Sequence, residues 1–377
     1  MDFDFTEDQE SLRDAVRRWV DKAYDFERRR AIVKAGGFSR EAYGELAGLG
    51  LTGLAVPEAQ GGMGFGPIEA MVVMEELGRG IVLEPYAQAA LMAPALLSSA
   101  PSALQSQWLP KVADGSALVV LAHVERAARY RLSHVTTRAT QAGGGWTLTG
   151  AKSVVPAGDQ ADAFMVPARV SGSHGDAGGI SLFLVERNAP GVATRGYLLQ
   201  DGGRGGEVTF TQSPAALVSS EGLPALELGV DVGIAALCAE AVGAMDKLFA
   251  LTVDYLNTRK QFGVPIGTFQ ALRHRLADMK MQLELGRSMS YFASLKLGEA
   301  AGARRRAVSQ AKVQLGQSMR FVGQQAVQLH GGIGMTDEYA GSHYFKRLTC
   351  MEMSFGDTLH HLGEVSERMQ DSAGVFA

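Results

Sequence analysis

The stretch QFGVPIGTFQALRHRLADMK, residues 261–280, follows Arg259 and sets two glutamines, an Arg-His-Arg run and a Gly-Val-Pro turn within otherwise helical sequence. An arginine at a helix end can hold a phosphate through two parallel hydrogen bonds, and amides with a glutamine side chain can read the edge of a planar ring. The spacing predicts that the helix carrying Arg259 stops at Gly263-Val264-Pro265 and that a second starts near Thr268, with Gln270 in its first turn. A ligand contact and a plain helical hairpin with a polar rim both satisfy this pattern. Further on, QLHGGIGMTDEY at residues 328–339 places Gly331, Gly332 and Gly334 directly after a helix. A helix end explains one glycine, whereas three together let backbone approach a ligand and expose its amides. The cluster GGMGFG at 61–66 follows no strand of a βαβ unit, so it matches a dinucleotide fingerprint only in its letters.

The elements that must position these residues fall into three blocks. TEDQESLRDAVRRWVDKAYDFE begins with a capping-box pair, Thr6 and Gln9, and puts Leu12, Val16, Trp19 and Val20 on one helical face. Helical patterns continue to about residue 116. Short β-branched and aromatic runs such as LVVLAHV, WTLTGAKSVV and ISLFLVER then predict a β domain over 117–216. The helical period returns in 217–377, where three long helices and a shorter last one suit an antiparallel bundle.

Composition narrows the class. A chain of 377 residues, 46% apolar, can bury a large core in two or three domains. Its net charge of −4, with signs interspersed, gives no basic field for nucleic acid. Arg304-Arg305-Arg306 reads as a solvated helix face or loop. Cys238 and Cys350 lack CxxC spacing or a nearby His/Cys set, so neither a zinc site nor a disulfide framework is expected. The acidic first residues lack the order of a secretory leader, and no apolar run is expected to reach the roughly 18 residues of a membrane span, which suggests a cytoplasmic protein.

RKQFGVPIGTFQALRHRLADM and QLHGGIGM together resemble the signature pair of the acyl-CoA dehydrogenase family, and the helical, β, helical order is similar to that family over the whole chain. MDFDFTEDQ, CAEAVGAM and HYFKRLTCMEMSFGD resemble its branch of pimeloyl-CoA dehydrogenase small subunits. The resemblance implies an α+β fold: an N-terminal helical domain, a middle β-barrel and a C-terminal four-helix bundle. It also implies FAD bound between the β domain and the C-terminal helices. Carried over by position, Arg259 and Gln270 would contact the FAD of a neighbouring subunit with Phe262 packed beside them, and Gln328, His330, Gly331 and Gly332 would line its adenine–pyrophosphate end. Arg273, His274 and Arg275 are expected to be solvated or intersubunit residues.

The catalytic base departs from the family pattern. Many members carry a glutamate after an aromatic residue near the C-terminus, but here the register reads Phe355-Gly356-Asp357-Thr358. The alternative slot on the first bundle helix falls on Gly233. Glu240, seven residues further along and alone among apolar neighbours, is the first candidate, because an unpaired carboxylate there would have the raised pKa a base needs, against a plain role as a buried structural carboxylate paired with a Lys or Arg of another helix. Asp357 is the second, against a plain role as a helix N-cap. In the β domain the family's Thr-Glu-Pro becomes Val124-Glu125-Arg126, and Trp-x-Thr becomes Val154-Val155-Pro156.

The resemblance therefore implies a flavin-dependent α,β-dehydrogenase of an acyl-CoA, with a dicarboxylic, alicyclic or steroid-derived acyl group and an electron-transfer flavoprotein as acceptor. A non-catalytic partner subunit of a heterotetramer, built with a paralogous large subunit, is a second reading. A flavin oxidase or monooxygenase on the same fold is a third. A homo-oligomer or heteromer is expected, since Arg259 should act across an interface.

Overall fold

The structure, a computed structural model, describes residues 5–373. Helix α1 (Glu7–Ala23) opens with the expected capping box: Gln9 N donates to Thr6 Oγ1 at 3.2 Å and Thr6 N to Gln9 Oε1 at 3.0 Å. Its buried face is Val16, Trp19 and Val20. There follow α2 (Phe26–Lys34), α3 (Arg40–Gly48), α4 (Pro67–Arg79), a π-helical stretch at Ala87–Met92 leading into α5 (Ala93–Leu97), and α6 (Ser102–Ala113). GGMGFG lies in the turn that precedes α4, with no strand before it among the described residues.

The strands are β1 (Val119–Leu121), β2 (Arg138–Ala142), β3 (Gly145–Pro156), β4 (Ala163–Arg169), β5 (Ile180–Glu186), β6 (Val192–Leu198) and β7 (Arg204–Ser219). Pairing runs β4–β2–β3–β7–β5 and returns from β5 to β4, with Ala163 opposite Glu186 and Arg169 opposite Ile180. The sheet closes on itself, which removes most of the exposed strand edge. Strand β1 adds parallel to β4, and β6 adds to β7. Because β4 is buried along its whole length, its residues 163–168, AFMVPA, read as a continuous apolar run rather than an alternation. Phe164, Phe183 and Phe210 fill the core with Leu148, Val166 and Val185.

Two compact units emerge. One contains Arg30–Gly66 and Leu83–Gly233, hence the barrel; the other contains the segment up to Arg29, Pro67–Val82 and the segment from Ile234. The C-terminal elements are α7 (Gly222–Thr258), a small hairpin of β8 (Lys260–Gln261) and β9 (Val264–Pro265), α8 (Gln270–Lys296), α9 (Ala301–His330), α10 (Ala340–Met353) and α11 (Thr358–Ala373). Helix α9 packs against α8, α10 and α11, and α4 against α1 and α8. Gly78 of α4 lies against the Glu240 backbone, and Gly243 of α7 against the Glu75 carbonyl, so a side chain at either glycine would prevent the close crossing of these helices. The Arg304–Arg306 run sits in the first turns of α9, half-buried.

Two sequence expectations are corrected. Helix α7 does contain an 18-residue window apolar enough for a membrane span, and 89% of that window is buried, as in the core helix of a folded domain. The single last helix is two helices. Phe355 (φ 59°) and Gly356 (φ 117°) turn the chain through the left-handed region, and α11 restarts after Asp357. The fully buried Lys312 Nζ of α9 holds this break by donating to the carbonyls of Met351 (3.0 Å), Glu352 (2.7 Å) and Gly356 (2.9 Å). Burial pulls its ammonium down to about 8.

In the barrel, Glu125 collects the amides of Thr136 (2.7 Å) and Thr137 (3.0 Å), both threonine hydroxyls, and Lys152 Nζ (2.8 Å). Burial pushes its carboxyl up, but the Lys152 charge and these hydrogen bonds outweigh it and hold the group at about 2. The pair therefore contributes stability above the ordinary glutamate value of 4.5, and that contribution is lost as the pH falls from there toward about 2. Chemical denaturation followed across this window should show stability dropping with acid in the native chain and a shallower drop in Glu125→Gln; equal slopes would remove Glu125 from the acid response.

Candidate functional site

Beyond Thr258 the chain leaves α7 and makes a two-residue hairpin. Gln261 pairs with Val264, and the turn residues Phe262 (φ 55°) and Gly263 (φ 80°) are both left-handed. A turn with two positive φ angles matches the twist of its strands and favours Asn-Gly. Phe262 is a poor choice for that conformation, and it is also 92% exposed. An aromatic ring that is both strained and in water costs free energy in its own chain. Its neighbour Phe269 lies edge-on at 6.0 Å and is 38% exposed.

Arg259 is exposed at the root of this hairpin, where its carbonyl accepts from Ile266 N at 2.8 Å. Helix α8 begins at Gln270 without a side-chain cap, so its first amides and the exposed Gln270 side chain face the same surroundings. Arg273 Nε donates to the Gly267 carbonyl at 2.7 Å and fixes the turn, and Arg275 joins α8 to Gln325 of α9 at 2.7 Å.

The glycine turn comes to the same end of the helices. His330 stacks on Tyr255 of α7, ring centroids 4.7 Å apart, and so ties the end of α9 to the last turns of α7. Its Nδ1 donates to the Ala326 carbonyl at 2.8 Å, leaving Nε2 to accept from the Tyr339 hydroxyl at 2.8 Å. Burial lowers its pKa. The His330 ring is thus turned into the chain, where it positions the turn that follows. Gln328, Gly331 and Gly332 are exposed, and a Cβ added at either glycine meets no atom within 4 Å. An arginine, two glutamines, an uncapped helix start and open glycine backbone form a donor set suited to the phosphates and ring edges of a dinucleotide.

Both carboxylates singled out in the sequence have partners within the chain. Glu240 is buried but paired: Arg347 of α10 donates to its Oε1 from Nη2 at 2.6 Å and from Nε at 2.7 Å. The lone acid among apolar neighbours has its counter-charge from a helix more than a hundred residues away, which local sequence could not reveal. Asp357 caps α11, its Oδ1 accepting from His360 N at 2.8 Å. At Gly356 an added Cβ would lie 2.5 Å from His360 Cδ2 and 2.7 Å from His361 Nε2, so two imidazoles close that position. His361 is buried and its pKa is pushed down to about 3 by burial, beside Lys312. The raised carboxyl lies elsewhere: burial lifts Glu75 of α4 to about 7 against the charge of Arg287 at 3.6 Å. The sequence signal for it was weak, one of two adjacent glutamates in an apolar helix.

In the barrel unit, Val154 is 48% exposed at φ 52°, a strained place for a β-branched residue, beside Ser153, whose hydroxyl donates to Glu207 at 2.8 Å.

Comparison with known proteins matches the chain to the N-terminal domain of acyl-CoA dehydrogenase over residues 6–116, the middle domain over 121–212 and the C-terminal domain over 220–370. Acyl-CoA dehydrogenase FadE12 of Mycobacterium tuberculosis is 30% identical over 349 residues, 89% of this chain and 88% of the relative. Among solved structures, a variant of the Tcur3481–Tcur3483 steroid acyl-CoA dehydrogenase superposes with a TM-score of 0.88 at 30% identity, covering 98% of this chain and 99% of that one. The ChsE4–ChsE5 complex of Mycobacterium tuberculosis gives 0.89 at 27% identity, covering 99% and 100%.

Two outcomes are expected from these geometries. Phe262→Asn should relieve the turn, stabilising the isolated chain by about 1 kcal/mol, while weakening subunit association in analytical ultracentrifugation; unchanged association would remove Phe262 from the interface. Arg347→Met should cost about 3–5 kcal/mol by stranding a buried charge, and Glu240→Leu added to it should recover most of the loss. Urea unfolding of the single and double variants measures both.

Proposed function

The chain belongs to the acyl-CoA dehydrogenase family, FAD-dependent oxidoreductases of acyl-CoA thioesters, and from that premise we propose that it serves the dehydrogenation of a steroid-derived acyl-CoA as one of two kinds of subunit in a heteromeric enzyme. The observation that carries this reading is the state of its carboxylates. Glu240 is held by Arg347, Asp357 caps a helix, and the Gly356 position is closed by histidines. Ionised carboxylates engaged in this way are poor proton acceptors. Meanwhile Arg259, Phe262, Gln270, Gln328, Gly331 and Gly332 face outward.

In this reading the outward residues hold a cofactor that belongs chiefly to a paralogous chain. FAD, when bound, accepts the hydride that leaves the β carbon. Arg259 offers its guanidinium to the phosphates, Gln270 and Gln328 offer amide donors and acceptors, and Phe262 excludes water beside them. Open backbone at Gly331 and Gly332 lets the cofactor approach. The carboxylate that takes the α-proton then comes from the paralogous subunit. The steroid substrate and the two-chain assembly are supported by likeness to the steroid enzyme and to the ChsE4–ChsE5 complex. The small-subunit resemblance of CAEAVGAM and HYFKRLTCMEMSFGD points the same way.

A second reading, a self-sufficient dehydrogenase with Glu240 or Asp357 as base, is favoured by the retention of both cofactor-side motifs on one chain. Visible absorption separates the two. The chain purified alone should be colourless and become yellow only with a paralogous large subunit, and bleaching of that complex by a steroid acyl-CoA should survive Glu240→Gln and Asp357→Asn. A yellow chain that bleaches alone, and ceases to in one of these variants, would overturn the two-subunit reading and identify its base.

A further inference from the structure

Two histidines bracket the turn that presents Gly331 and Gly332, and they are held in different ways. His330 stands at its start, and His343, in the first turn of α10, follows its end. His343 Nδ1 lies 3.0 Å from Nη1 of Arg29 in α2, and its Nε2 lies 2.9 Å from the Asp337 carbonyl. A guanidinium has only donors, so Arg29 fixes the tautomer: Nδ1 accepts, and the single ring proton sits on Nε2 and is donated to Asp337. Arg29 is fully buried, and its Nε donates to the Ile81 carbonyl at 2.9 Å, where the chain leaves α4 with a left-handed φ of 43°. One arginine therefore holds the exit from α4 and, through His343, the segment after the glycine turn. Ser342 adds a hydrogen bond from its hydroxyl to the Thr336 carbonyl at 2.6 Å.

A proton affects the two histidines unequally. His330 Nε2 faces the Tyr339 hydroxyl, which can rotate to accept from an imidazolium as it donates to an imidazole. Arg29 cannot reverse its role. A proton on His343 Nδ1 would set donor against donor and two positive charges against each other across 3.0 Å. The other charged groups at the ring are Asp337, whose Oδ1 is 3.4 Å from Nε2 and favours the proton, and Lys346 of α10, which reaches the same oxygen at 3.4 Å and opposes it. The uncharged ring of Phe26 in α2 packs edge-on at 4.9 Å. Burial is the largest influence on His343 and, with the charges of Arg29 and Lys346, lowers its pKa.

We propose that His343 is a positioning residue that latches the glycine turn in its outward-facing form while the imidazole is neutral and releases it when the imidazole takes up a proton. The inference rests on the reading of that turn as part of the cofactor surface, and adds to it a response to pH. The sign follows from linkage. An opened turn returns His343 to the ordinary histidine value of 6.5, so the latch is fully favoured above that pH and loses ground as the pH falls below it.

The test is hydrogen–deuterium exchange of the whole chain, read in peptides spanning residues 331–339 from pH 7.5 to pH 5.5 and corrected for the intrinsic pH dependence of amide exchange. Protection of the turn should fall by up to about tenfold across this window. In His343→Gln the amide oxygen accepts from Arg29 and the amide nitrogen donates to Asp337 without titrating, so the turn should stay protected at every pH with His330 still in place. His274→Gln, at an exposed histidine of α8, serves as the control and should respond like the native chain. A flat native profile would overturn the proposal, as would an equal fall in His343→Gln, which would assign the response to another group. Flavin fluorescence of the assembled, flavin-loaded protein, followed over the same window, separates the latch from the reading it rests on. Flavin should be released as the turn loosens, and retained in His343→Gln. A turn that loosens in acid in the native chain alone, while flavin stays bound, would uphold the latch and sink the cofactor reading of the turn.

Discussion

A charge withdrawn from water must be met by groups of the same chain, and this requirement organises much of the molecule. Glu125 meets it with Lys152 and two threonines, and in doing so closes a loop and ties it to β3. Arg169 meets it with carbonyls at Ser133, Val135, Ser171, His174, Asp176 and Gly178, gathering two loops at one end of the barrel. Lys312 meets it with the carbonyls at the break between α10 and α11. Glu240 meets it with Arg347 and joins α7 to α10. In the first three cases the buried side chain satisfies backbone groups that regular secondary structure leaves unpaired, and in the fourth two side chains satisfy each other.

The opposite condition holds over part of the surface. Phe262 is strained and in water, Met335 is 77% exposed beside the glycine turn, and α8 starts without a cap. These features cost free energy in an isolated chain and are consistent with an assembly in which they are covered. Helix α7 links the two conditions: Glu240 lies nineteen residues before Arg259, about 28 Å along the helix axis.

Much of this was legible in the sequence because the signals were local. The capping box of Thr6 and Gln9, the change from helical to alternating period near residue 117, and the break at Gly263-Val264-Pro265 each depend on residues a few positions apart. Local rules describe such features well, since hydrogen bonds within a turn of helix or hairpin involve near neighbours. The two long motifs carried the family for the same reason, and the strained aromatic at the hairpin tip sits inside one of them.

What the sequence by itself determined was therefore the order of elements, the family and the outward-facing motif residues. Only the tertiary structure decided the state of the buried groups. Glu240 looked alone because Arg347 is 107 positions away, and Asp357 acts as a cap because Gly356 and Phe355 break the last helix there. His330 faces inward because Tyr255 and Tyr339 flank it. The electrostatic environment of a side chain is set by whatever packs against it in space, and sequence separation carries no information about that distance until the chain has folded.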